Sequence, residues 1–323
     1  MTGPPKQLNH HTTELVSAVE KRPSDVPFIQ PCRSRLTNVR IVSEMLFQPT
    51  FFNWTIKTLT SNSFSIAKLS LRFSNLTTET WSNLLRSLTL PRLQDVEIAS
   101  SVFDNTTGGA SKDFRDFFIR HPSINTLLLQ DIELRTPPTV TGPILPNLVC
   151  MMAPPRWVSS LLDMRYSHDS SSKLNSIGIS TEYNIYRSTF NYDLLDAALL
   201  RVAKLSGRRV TLNLLFKSEN GVSDWFSNHA ALGKENSVLN RLYCVSTLVI
   251  STAFIVNITK VPDLLTWLSL FPCVEHLKFA ETTRAGRVFL EKPEFLKSVA
   301  EKCPHIKRIQ IDEVIELDQY RSK

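Results

Sequence analysis

An apolar triplet at positions p, p+3 and p+5 returns from Leu36 to Ile311 and constrains the fold more than any other feature. It reads Leu36/Val39/Ile41, Ile66/Leu69/Leu71, Leu93/Val96/Ile98, Ile124/Leu127/Leu129 and Leu148/Met151/Ala153 in the first half. It continues as Leu174/Ile177/Ile179, Val245/Leu248/Ile250, Val274/Leu277/Phe279 and Ile306/Ile309/Ile311. A degenerate copy holds Leu212 and Leu214, with Arg209 in the first slot. From Val39 to Ile309 the middle residues are spaced 30, 27, 31, 24, 26, 35, 36, 29 and 32 apart. A supersecondary unit repeated at such intervals cannot bury its apolar face alone, so neighbouring units must stack.

Each triplet ends in a short alternating stretch, such as Lys68-Leu69-Ser70-Leu71-Arg72. Period-two alternation means a strand with one buried and one open face. Prolines at 91, 122, 146, 272 and 304 stand two residues before the first apolar slot. Proline has no backbone N–H and clashes with a continuing helix, so each separates a helix from the following strand. The preceding segments carry helical stripes: Trp81/Leu84/Leu85/Leu88, Leu195/Ala198/Leu199/Val202, Leu264/Trp267/Leu268/Phe271 and Leu296/Val299/Ala300/Cys303. Ser111 is the expected N-cap of a further helix bearing Phe114, Phe117 and Phe118. All five tryptophans fall in helical segments and are expected to fill the space between helix and sheet.

Strand, helix and repeat length together indicate an α/β fold. The expected architecture is a leucine-rich-repeat-like, right-handed solenoid (a horseshoe). Parallel strands line its concave face and helices its convex face. Residues 1–30, with several prolines and no triplet, are expected to form a flexible lead-in; 31–316 the solenoid; 317–323 a C-terminal tail.

Composition narrows the function classes. The net charge of +7 is spread over scattered basic pairs such as Arg208-Arg209 and Lys307-Arg308. No run tracks a phosphate backbone, so nucleic acid is not expected as a partner. No apolar run approaches the roughly 20 residues of a membrane helix. The opening MTGPPKQLNHH lacks the apolar core of a secretion signal, so a cytoplasmic or nuclear location is expected. Five cysteines, none in a C-x-x-C pair, suit a reducing compartment better than a disulfide framework.

No residue set signals catalysis, a metal or a cofactor. Phosphate-cradling glycine loops, H-E-x-x-H, G-x-S-x-G and zinc-spaced Cys/His clusters do not occur. His10-His11 reads as a solvated tail pair and His168-Asp169 as part of a serine-rich loop. The informative surface is instead the open strand face at p+2, p+4 and p+6. Its ends carry charge: Arg40, Lys68, Arg72, Asp95 and Glu97 at one, His276, Lys278 and Arg308 at the other. Its middle carries Leu128, Met152, Leu215 and Val249. Such a groove suits a protein or peptide ligand.

The stretches IAKLSLRFSNLTTETWSNLLRSLTLPRLQDVEI, FRDFFIRHPSINTLLL and LPNLVCMMAPP resemble the repeat region of fungal F-box proteins, especially those of mushroom-forming fungi. The phrase Arg120-His121-Pro122-Ser123-Ile124 at a helix end is characteristic there, and the likeness extends loosely over residues 36 to 312. It implies a substrate-recognition solenoid of an F-box-type ubiquitin ligase receptor. Residues 1–30 do not match the helical F-box, so docking to a Skp-type adaptor is expected only if an F-box lies upstream. A repeat scaffold that regulates a small GTPase, as in Ran GTPase-activating repeats, is the alternative. That family's asparagine ladder and acidic tail do not occur in this chain.

Overall fold

A computed structural model describes residues 36–74, 76–100, 110–132, 144–165, 173–181, 190–205, 207–218, 220–251, 261–280 and 283–321. The described strands form one sheet of 11 strands in strict chain order. They are β1 (Asn38–Ile41), β2 (Lys68–Phe73), β3 (Asp95–Ser100), β4 (Thr126–Gln130), β5 (Cys150–Ala153), β6 (Ser176–Ser180), β7 (Val210–Leu215), β8 (Val245–Ser251), β9 (His276–Ala280), β10 (Arg308–Gln310) and β11 (Val314–Glu316). From β1 to β10 every pairing is parallel; only β11 folds back antiparallel on β10.

Helices fill the crossovers: α1 (Pro49–Ser61), α2 (Thr78–Ser87), α3 (Ala110–Arg120), α4 (Pro155–Arg165), α5 (Tyr192–Val202), α6 (Val222–Asn236), α7 (Val261–Leu268), α8 (Arg284–Leu290) and α9 (Pro293–Lys302). Pro49 and Pro293 stand in the first turns of α1 and α9, where a missing N–H costs nothing. Thr77 caps α2 by accepting the Thr80 N–H, and Asn191 caps α5 by accepting that of Asp193. Helix α3 begins at Ala110, so Ser111 lies inside its first turn and is not the N-cap.

The triplets are the core. Ile66, Leu69, Leu71, Leu93, Ile98, Ile124 and Leu129 are sealed from solvent, as are the stripes of α2, α5, α7 and α9 that face them, in one continuous cluster. Aromatic rings carry the packing from unit to unit. Phe47, Phe73, Trp81, Phe114 and Trp157 follow one another at centroid distances of 5.1, 5.4, 5.8 and 5.7 Å. A second run passes from Tyr192 through Trp225 and Trp267 to Phe271. Trp54 is the exception among the tryptophans, 49% exposed. The inward stripe of α1 is Phe52, Thr55, Ile56 and Leu59, and Trp54 lies off it.

Ahead of the strands the units are stitched by a repeated backbone device: one carbonyl accepts two N–H groups of the next unit. Thr37 O takes Ala67 and Lys68 at 2.8 and 3.1 Å, and Ala67 O takes Gln94 and Asp95 at 2.8 and 3.0 Å. Gln94, Asn125, Val149 and Glu275 repeat it. In the degenerate unit Arg209 is exposed, and the neighbouring Val210 supplies the buried side chain opposite Val245. A register shift after Val210 then returns Leu212 and Leu214 to their places beside Leu248 and Ile250. Past Glu316, where the sequence suggests a tail, a 3-10 turn (Leu317–Tyr320) follows. It buries Leu317 in the core, and Tyr320 packs against it. The turn thereby covers the apolar end of the unit that holds β10.

Candidate partner-binding face

Parallel pairing, in constant register from Thr211 onward in β7, places the outward residues of successive strands in rows. The first row runs Asn38, Lys68, Asp95, Thr126, Cys150, Ser176, Thr211, Thr247, His276, Arg308. The second runs Arg40, Ser70, Glu97, Leu128, Met152, Gly178, Asn213, Val249, Lys278, Gln310. Arg72 belongs to a third row with Ala99 and Gln130, and Leu215 to its continuation with Ser180, Ser251 and Ala280. Most of these residues are half-buried, in contrast to the sealed triplets on the other face.

The register thus puts Leu128 beside Met152, with Val249 three strands farther along the same row. Met152 leans over Gly178. A Cβ added to Gly178 would lie 2.8–2.9 Å from the Met152 Cβ, Cγ and Cε atoms. The glycine is there because the thioether occupies the space a side chain would need.

At the charged ends several groups are already paired within the chain. Glu97 accepts a hydrogen bond from the Ser70 hydroxyl at 2.8 Å and is ion-paired with the Arg72 guanidinium. Arg308 is held at 2.6 Å by Glu316 of the antiparallel β11. Three of the charges expected to meet a partner are therefore already balanced within the chain. Lys68 and Asp95 are register neighbours, and Lys278 stands between Val249 and Gln310.

Two arrangements escaped sequence reasoning because their members are far apart in the chain. Lys217, just past β7, donates to both carboxylate oxygens of Asp131, just past β4, at 2.8 and 2.7 Å. The pair spans the ends of β5 and β6. On the helical side, His229 of α6 lies 2.9 Å from the Ser237 hydroxyl and 3.1 Å from Asp196 of α5. The order Ser–His–Asp is that of a hydrolase triad. Its serine is buried, however, and its hydroxyl accepts the Leu239 N–H to cap a 3-10 turn. A nucleophile must reach its substrate, so the trio serves as an interhelical brace, to which the Trp225 indole adds a 2.9 Å bond to Asp196.

Titration properties fit a structural role for the buried groups. Burial pushes the Cys244 thiol up to about 11 and that of Cys303 up to about 12, so both stay protonated and unreactive. Burial lowers the His121 pKa. Lys307 and Arg209 hold the Glu275 carboxyl below its ordinary range. Among the described residues no group of three or more His, Cys, Asp or Glu side chains is placed to hold a metal ion. No described helix is long and apolar enough to cross a membrane. His10-His11 and His168-Asp169 lie outside the described residues.

No protein-family model matches the chain, and no curated protein matches it.

Proposed function

We propose that the chain is a non-catalytic recognition solenoid that binds a protein or peptide across its helix-free strand face, as the substrate-reading part of an F-box-type ubiquitin ligase receptor. The observation that carries this reading is the aligned second row. It carries the apolar, half-buried Leu128, Met152 and Val249, with Gly178 and Asn213 between the last two, and the charged Glu97 and Lys278 stand next to them. A partner that desolvates the apolar residues and meets Lys68 and Lys278 would use both.

The array is read as right-handed because parallel strands joined by helical crossovers are right-handed in almost all cases. Inward curvature toward the strand face is supported by the Asp131–Lys217 pair. The pair links residues just past the ends of β4 and β7, three strands apart in the sheet. A cytoplasmic or nuclear location follows from the ligase reading.

The test uses the tagged chain expressed in fungal cells, in four forms. Proteins retained by the unaltered chain and by Leu200→Arg (exposed, on α5) should be lost with Met152→Arg or Val249→Glu. Those proteins should also accumulate when the chain is depleted. Retention of the same proteins by all forms would refute the face as the binding surface. Unchanged levels on depletion would refute the ligase role.

A further inference from the structure

We infer that the cavity at the rim where β7, β8, β9 and β10 begin is a binding site for a glutamate or aspartate side chain of a partner peptide. The site is separate from the strand face and does not rest on the reading proposed for that face. The cavity measures about 330 Å³, and its lining includes Arg209, Tyr243, Ser246, Glu275, His305 and Lys307. That volume suits one acidic side chain with some adjoining backbone.

The site arises where the repeat breaks. In the unit of β7 the first slot of the triplet, apolar in the other units, is Arg209. Val210 takes over the buried place through a register shift, and Arg209 is turned outward with 75% of its side chain exposed. There its guanidinium lies 3.2 Å from one carboxylate oxygen of Glu275, just ahead of β9. The Lys307 ammonium, just ahead of β10, lies 3.1 Å from the other oxygen. Glu275 thus draws two cations from separate units to one spot at the cavity wall. It meets each of them through a single oxygen, whereas a guanidinium has five N–H donors and an ammonium three. Most of the donors are therefore left for a ligand.

Charge and shape select that ligand. Arg209, Glu275 and Lys307 sum to one positive charge, which a single carboxylate neutralises; a phosphate dianion would leave the group negative. Lys234 stands near enough to add to burial in lowering the His305 pKa, so its positive potential reaches the cavity as well. The Tyr243 ring, 66% exposed, forms an open wall for the methylene groups of the bound side chain. One open tyrosine is not the run of stacking platforms that a nucleic acid strand uses.

The test measures fluorescence anisotropy of a labelled, C-terminally amidated Gly-Gly-Glu-Gly-Glu-Gly-Gly peptide with the full chain. The peptide should bind with a Kd below about 1 mM, and at least about ten-fold more weakly when glutamine replaces both glutamates. Arg209→Gln with Lys307→Gln, both at exposed positions, should weaken it by about ten-fold or more. The charge-matched control Lys57→Gln with Lys112→Gln, exposed on α1 and α3, should leave it unchanged. A labelled thymidine oligonucleotide should bind more weakly than the peptide. If the Arg209 and Lys307 variant fails to fold, Tyr243→Glu at the exposed wall should produce the same loss. Absence of binding at about 1 mM, equal affinity for the glutamine peptide, tighter binding of the oligonucleotide, or an equal loss in the control would overturn the assignment.

Discussion

His121 ties two units together, and its removal should expose how the array of units depends on that tie. The ring is fully buried at the end of α3. Its Nδ1 lies 2.6 Å from the Phe117 carbonyl, which requires the proton on that nitrogen. Its Nε2 then accepts the Leu90 N–H of the preceding unit at 2.8 Å. The ring also lies 4.2 Å from that of Phe117. In His121→Leu the Leu90 N–H is left buried without an acceptor, at a cost of about 1–3 kcal/mol. Loss of the ring pair adds about 0.5–1 kcal/mol, so about 2–4 kcal/mol should be lost near neutral pH. The pH dependence gives a sharper signature. Burial depresses the folded-state pKa below the ordinary 6.5, so between the two values the unfolded chain binds more protons. The stabilisation is therefore complete above pH 6.5 and is lost as pH falls toward the folded value, by up to about 1.4 kcal/mol per pH unit. His305, also depressed by burial, titrates in both proteins and cancels in the comparison. Urea unfolding followed by circular dichroism at about pH 7.5 and about pH 5.5 measures the gap between the two proteins. The gap should narrow at the lower pH. A variant as stable as the parent at neutral pH, or a gap of the same size at both, would refute the tie.

Gly178→Val should cost about 1–3 kcal/mol in urea unfolding because its Cβ meets Met152, and pairing it with Met152→Ala should recover most of that loss. Trp81→Ala empties a fully buried site between Phe73 and Phe114 and should cost about 3–5 kcal/mol, whereas Trp54→Ala, at a half-exposed site, should stay within about 0.5 kcal/mol. Among the described cysteines, a thiol reagent at mildly alkaline pH should label the exposed Cys273 in the native chain and reach Cys244 and Cys303 only on unfolding, as peptide mass spectrometry would report.

The strands and their order were legible because a period-two pattern is a direct image of a sheet with one sealed face. Val39, Leu69, Val96, Leu127 and their successors fall in mutual register without exception. What the pattern could not reveal was substitution of one slot by a neighbour. At β7 it points to Arg209, and only the register shift beside Val210 makes that unit regular. The outward rows were legible for the same reason as the inward ones, but their pairing was not. Arg72 with Glu97 and Arg308 with Glu316 look, in sequence, like four independent surface charges. Lys217 with Asp131, and the brace of Asp196, His229 and Ser237, join residues from units that only the stacking of the sheet and helices brings together. The cavity at the start of β7 to β10 was invisible for that reason too, since its charges come from separate units.

The most direct measurement is photo-cross-linking from a single benzoylphenylalanine, placed in turn at Leu128, Val249 and Leu200 in the tagged chain. If the strand face is the recognition surface, the probes at Leu128 and Val249 capture one and the same protein, and the probe at Leu200 does not. Capture of that protein from Leu200 alone, or different proteins from Leu128 and Val249, would contradict it.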